Sequence, residues 1–192
     1  MKLTLPTGLT LARLVLVPVL VGLFYLPFEW SRPVAALAFL LAGLTDWLDG
    51  YLARRLNQQS SFGAFLDPVA DKVMVAVVLV MLVEANAEPW MALPAMVIIG
   101  REIVISALRE WMAEIGQRAH VAVSSLGKIK TVAQIGALVL MLYNDPIATV
   151  PTFTVGVILI YIAALLTLYS MALYLRAGWE AAKADEASAE RG

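Results

Sequence analysis

Cysteine is absent from the 192 residues, histidine occurs once, and only 15% of side chains are charged. Without cysteine there are no disulfides, no thiolate metal centres and no cysteine nucleophile. A single imidazole, His120, excludes a histidine-rich metal site and reads as a solvated loop side chain. Charge is scarce against the roughly one quarter of positions it takes in soluble domains, whereas 61% of residues are hydrophobic. The net charge of -1 identifies no partner, and no nucleic-acid ligand is expected.

The apolar residues fall in long runs rather than alternating with polar ones, so the expected fold class is all-α, a polytopic membrane protein. Six transmembrane helices are expected at roughly 7–26, 33–56, 62–86, 89–111, 122–143 and 150–176, each long enough to cross a hydrocarbon core of about 30 Å. Pro6, Pro33, Pro89 and Pro151 stand where helices would start, and Glu29, Asn86 to Glu88 and Asn144 to Pro146 supply turns. Lys2 and the apolar stretch after it resemble a signal peptide only superficially: no small-residue cleavage site precedes Pro27, and the segment is expected to be retained. An even number of spans puts both termini on one side. That side also collects Lys2, Arg13, Arg54, Arg55, Lys72, Arg101, Arg109, Arg118, Lys128, Lys130, Arg176, Lys183 and Arg191, whereas the opposite loops hold Arg32 with Glu29, Glu84, Glu88 and Asp145. The positive-inside rule makes it cytoplasmic, with Trp30 and Trp90 at the outer interface and Trp111 and Trp179 at the inner one. Residues 1–180 are expected to form one membrane-embedded domain in the lipid bilayer, and residues 181–192 a solvated tail.

Four aspartates stand out. Asp46 and Asp49 lie three apart near the cytoplasmic end of the second span, and Asp67 and Asp71 lie four apart near the start of the third, so each pair shares a helical face. The two helices run antiparallel, and the numbering predicts that all four carboxylates reach one level. Facing lipid, four aspartates would cost on the order of 10 kcal/mol, so they need a cation. Oxygen ligands without His or Cys favour Mg²⁺ or Mn²⁺, and four acids suffice for a pair of ions. Gly50, Ala53 and Gly63 are small residues on the same faces, which let a ligand or a helix approach the backbone, and Arg54 can offer its guanidinium fork to a phosphate. A cation channel or transporter would also bury acids, but would spread them across the membrane depth rather than gather them near one face.

The stretch TDWLDGYLARRLNQQSSFGAFLDPVADK resembles the signature of the CDP-alcohol phosphatidyltransferases, D-x-x-D-G-x-x-A-R, eight residues, then G-x-x-x-D-x-x-x-D. Asp46, Asp49, Gly50, Ala53, Arg54, Gly63, Asp67 and Asp71 fill every fixed position. Chance would give this match on the order of 10⁻¹⁰ times per start position, so the resemblance is specific. It implies the six-helix fold of that family, a homodimer and a site open to the cytoplasm. It also implies that Asp46, Asp49, Asp67 and Asp71 hold the metal and that Asp71 serves as general base. CDP-diacylglycerol would lie against Gly50, Ala53 and Gly63, with Arg54 near its phosphates.

The signature leaves the acceptor open. Arg101 and Arg109, eight apart, Arg118 in the following loop, and Lys128 and Lys130 concentrate positive charge, which suits a dianionic phosphate better than a neutral polyol or a zwitterion. The segments GREIVISALREWMAEIG and VAVSSLGKIKTVAQ are similar to those of bacterial members of the family that use glycerol 3-phosphate. That similarity implies transfer of the phosphatidyl group from CDP-diacylglycerol to glycerol 3-phosphate, giving phosphatidylglycerophosphate and CMP in the bacterial cytoplasmic (inner) membrane, with the acceptor phosphate held by Arg101, Arg109, Lys128, Lys130 and Arg118. Inositol phosphate is the alternative acceptor. Related chains begin N-x-P-N-x-L-T-x-x-R, whereas this one has Thr4 and Thr7 where the amides are expected, with Pro6, Leu9, Thr10 and Arg13 keeping the frame. A hydroxyl replaces one hydrogen bond of an amide but not its donor-and-acceptor pair.

Overall fold

The computed structural model describes residues 5–55, 61–115 and 125–189, and the side chains in those ranges except at 5–6, 46–55, 61, 64, 125–128, 181 and 184–189. The described residues form six helices, α1 (Leu5–Tyr25), α2 (Ser31–Arg55), α3 (Ser61–Asn86), α4 (Pro89–Glu114), α5 (Ser125–Tyr143) and α6 (Thr152–Ala189). Three stretches, Thr7–Tyr25, Pro89–Glu114 and Thr152–Glu180, are long and apolar enough to cross a membrane, and Ser31–Thr45 and Ile129–Tyr143 are shorter apolar helices. α3 is interrupted by Asp67, Asp71, Lys72 and Glu84. α6 runs on to Ala189, through most of the segment expected to be a tail.

Helix ends follow local chemistry. Glu88 is extended and Pro89 opens α4, where the missing N–H of proline costs no helical hydrogen bond. Ser31 turns back at the start of α2, its hydroxyl donating to the carbonyls of Leu26 (2.9 Å) and Phe28 (2.7 Å). Between α5 and α6 the chain reverses through Asn144 and Ala148, both at positive φ, and the Thr152 hydroxyl donates to the Asp145 carbonyl at 2.8 Å.

Packing closes the helices into a ring. α1 lies against α2 and α3, α2 against α5, α5 against α6, α6 against α4 and α4 against α3, and α3 also meets α5 across the ring. Leu79, Leu82, Ile98, Leu138, Met141, Leu142 and Ile160 fill the core with no exposed surface. α5 and α6 approach closely at Gly156, where a Cβ would stand 2.9 Å from the Ala137 carbonyl oxygen and 3.2 Å from the Met141 nitrogen. Because those atoms are backbone, Gly156→Ala has to push two helices apart, and it is expected to destabilise the protein by about 1–3 kcal/mol. A thermal unfolding series in detergent checks this; an unchanged midpoint would mean the helices separate at no cost.

α4 and α6 are joined at two levels. Pro94 has no N–H to give to the Trp90 carbonyl, and that oxygen instead accepts the Tyr161 hydroxyl of α6 at 2.6 Å. Further along, Arg109 donates to the Tyr174 hydroxyl at 3.0 Å, and the guanidinium groups of Arg101 and Arg109 lie 5.7 and 5.3 Å from the centre of the same ring.

Candidate active site

Inside the ring, at the level of the N-terminal halves of α1, α3 and α5, lies a cavity of about 250 Å³. Its apolar wall comes from Phe39, Ala42 and Gly43 of α2 and Met74 and Val75 of α3. Its polar wall is made by Arg13, Asp71, Lys72, Glu102, Lys130 and Gln134, which reach it from α1, α3, α4 and α5. Charged groups so far along apolar helices are expensive to place and are normally retained for function.

Two polar clusters build that wall. In the first, α1 meets the acidic face of α3: the Thr10 hydroxyl donates to Asp67, and Arg13 Nη1 donates to Asp71 Oδ1 at 2.7 Å. The Arg13 side chain is 2% exposed and that of Asp71 44%, so the guanidinium is sunk between helices while the carboxylate stands at an open edge. In the second cluster, one oxygen of Glu102, Oε1, accepts from Arg101 Nη1 at 2.7 Å and from Lys130 Nζ at 3.0 Å, tying α4 to α5. Lys130 is almost fully buried, so this pair replaces much of its lost hydration. Lys72 crosses from α3 to α4, donating to the Ser106 hydroxyl, which itself donates to the Glu102 carbonyl.

The sequence-derived site residues fall into three groups. Asp67, Asp71 and Lys130 are brought to one region, with Gly63 buried in the first turn of α3. Arg101 stands behind Glu102 rather than on the cavity wall, and Arg109 points to Tyr174 on the flank of the bundle. Asp46, Asp49, Gly50, Ala53 and Arg54 occupy the last turns of α2 and Lys128 the first turn of α5, but their side chains lie outside the described residues, as do the whole of Thr4, Arg118 and His120. Among the described residues no three His, Cys, Asp or Glu side chains form a cluster that could hold a metal ion. Asp67 and Asp71, one turn apart, are the described part of the acid set.

The sequence places Arg13 in the frame of the N-terminal pattern and, with Lys72, among the cytoplasmic positive charges, and it gives Glu102 and Gln134 no role. Arg13 carried a usable signal, a lone cation in the apolar run LTLARLVLV. Glu102 carried a weaker one, an acid following a basic residue inside α4. Thr7, which stands where an amide was expected, is buried in α1 at 4% exposure.

A family model described as CDP-alcohol phosphatidyltransferase matches residues 3–169, and the chain belongs to that family. Among curated relatives, a protein of Yersinia pestis (strain Pestoides F) is 56% identical over 180 residues, 93% of this chain and 97% of the relative. One from Yersinia enterocolitica serotype O:8 / biotype 1B is 55% identical over 94% of this chain and 97% of its own length. A third, from Salmonella choleraesuis (strain SC-B67), is 54% identical over 92% and 96%. All three are named CDP-diacylglycerol–glycerol-3-phosphate 3-phosphatidyltransferase.

Proposed function

We propose that this chain transfers the phosphatidyl group of CDP-diacylglycerol to glycerol 3-phosphate, releasing CMP and phosphatidylglycerophosphate. The observation that carries this reading is the cavity, in which three cations, Arg13, Lys72 and Lys130, stand with Asp71 around a space of about 250 Å³. It is smaller than the roughly 300–1,000 Å³ of pockets for drug-sized ligands, which suits a three-carbon phosphate and not a lipid. The names of the relatives supply the two substrates.

Within this reading Lys130 and Lys72 attract the acceptor dianion, and Glu102 fixes Lys130 while Arg101 shares the carboxylate from behind. Asp71 takes the proton from an acceptor hydroxyl, that oxygen attacks the β-phosphorus of the liponucleotide, and CMP leaves. Arg13 holds the Asp71 carboxylate in place through its 2.7 Å bond. Arg54 is assigned to the liponucleotide phosphates, the small residues Gly50, Ala53 and Gly63 to the nucleotide surface, and Arg109, Lys128 and Arg118 to the positive field that draws the acceptor in.

Two divalent cations, Mg²⁺ or Mn²⁺, are part of the proposal. The donors fit: Asp67 and Asp71 offer hard carboxylate oxygens one turn apart, and Asp46 and Asp49 lie on the last turns of α2. When bound, such ions neutralise the pyrophosphate charge and stabilise the leaving CMP. We further propose that all six helices span the bacterial cytoplasmic membrane, with both termini and the cavity on the cytoplasmic side and the working form a homodimer. The lysine and arginine bias and the family support this arrangement.

Purified protein given CDP-diacylglycerol is expected to release CMP with glycerol 3-phosphate and Mg²⁺ or Mn²⁺ present, and to stop when EDTA is added. CMP release with inositol phosphate or serine in place of glycerol 3-phosphate would overturn the acceptor; release in EDTA would overturn the metals.

A further inference from the structure

Gln134 and Thr131 are the polar cavity residues that the reaction as described leaves without a task, and Gln134 is the one whose buried side chain carries an oxygen unpartnered among the described residues. It lies one turn beyond Lys130 on the same face of α5, is 7% exposed, and contributes to the cavity wall. Its carbonyl oxygen is buried and has no hydrogen-bond partner among the described residues. A buried amide oxygen without a donor is costly and uncommon in native proteins, so one on a residue that lines a ligand space points to a donor supplied when the ligand binds and the side chain turns toward it.

Glycerol 3-phosphate has three polar features. Its phosphate is matched by Lys130 and Lys72, and the hydroxyl that attacks has to lie at Asp71. A second hydroxyl remains, on the middle carbon. Burying it in a cavity whose remaining wall, apart from Thr131, is apolar would leave it unpaired unless a polar side chain meets it. A hydroxyl both donates and accepts, so it satisfies either end of an amide.

We propose that Gln134 binds the secondary hydroxyl of glycerol 3-phosphate and so selects this acceptor over phosphates that lack that hydroxyl. The assignment rests on the acceptor reading given above and adds to it a residue that sets specificity. It explains why an amide is buried next to Lys130, where an apolar side chain would pack without penalty.

The test pairs a change in the enzyme with a change in the substrate. The probe is 3-hydroxypropyl phosphate, which keeps the phosphate and a primary hydroxyl and lacks the middle one. The unaltered protein is expected to use it with kcat/KM about 10-fold or more below that for glycerol 3-phosphate, the scale of a lost hydrogen bond that strands a buried polar group. Gln134→Met should lower kcat/KM for glycerol 3-phosphate by a similar factor, leave that for the probe nearly unchanged, and leave the KM for CDP-diacylglycerol where it was. The ratio between the two acceptors does not depend on how much of the variant folds. Gln134→Glu, which keeps an oxygen at the same reach, should retain a preference for glycerol 3-phosphate. Equal losses on both acceptors in the methionine variant would overturn the assignment alone, because they mean a packing role. Failure of the unaltered protein to release CMP with glycerol 3-phosphate would overturn the acceptor reading and this assignment with it.

Discussion

Replacing Asp71 with asparagine is expected to lower the rate of CMP release by on the order of 10³-fold, the scale of a lost general base. Asparagine has the same shape, and its amide oxygen still accepts from Arg13, now 2.7 Å from the carboxylate. It cannot take up a proton. Loss of the charge opposite a guanidinium that is 2% exposed lowers the melting temperature, but the open side of Asp71, at 44%, lets water share that cost. Because Asp71 is also one of the acids proposed to hold the metals, added metal recovers only the part of the loss that is metal binding, and raising either substrate does not restore the rate, since the proton transfer itself is lost. Single-turnover CMP release alongside thermal unfolding separates the two effects; near-normal turnover would remove Asp71 as the base.

The largest effect on stability is expected from Glu102→Leu. One carboxylate oxygen serves both Arg101 and Lys130, and the Lys130 side chain is 8% exposed. Removing that oxygen leaves a buried ammonium with no counter-charge, which costs on the order of 3 kcal/mol or more. The double variant Glu102→Leu with Lys130→Met removes both charges and should recover most of the loss, although Arg101 stays without its partner. Activity is expected to be lost in both, because the cation assigned to the acceptor phosphate is displaced in one and absent in the other. Melting temperatures in one detergent decide the matter: a double variant less stable than the single would mean that Lys130 finds another partner.

Much of the architecture was written in local sequence. Pro89 and Pro151 mark the entries to α4 and α6, and the six expected segments each overlap a helix, with ends displaced by three residues or fewer at Tyr25, Ser31, Asn86, Pro89, Glu114, Tyr143 and Thr152. At the C-terminus α6 continues to Ala189, because alanine, glutamate and lysine are good helix formers even where no apolar face requires burial. The acid signature was legible because its spacing is a property of single helices. The partners of those acids were not. Arg13 is 58 residues from Asp71 and Lys130 is 28 from Glu102, and nothing in local pattern specifies which helices become neighbours in a ring. The sequence sets α2 and α3 against each other; among the described residues it is α1 that packs against both, so that Thr10 and Arg13 meet Asp67 and Asp71. Gln134 had no signal beyond being an amide in an apolar stretch, and its meaning appears only with the cavity.

The two tyrosine bonds between α4 and α6 bear on how the protein meets its lipid surroundings. Tyr161 and Tyr174 are separated by 13 residues of one helix, about 20 Å at 1.5 Å per residue. Sliding either rod lengthwise past the other would break both attachments together. A bilayer a few ångströms thicker or thinner is therefore met by the pair tilting as a unit, and Glu102, carried on one of them between the two pins, keeps its height relative to the other.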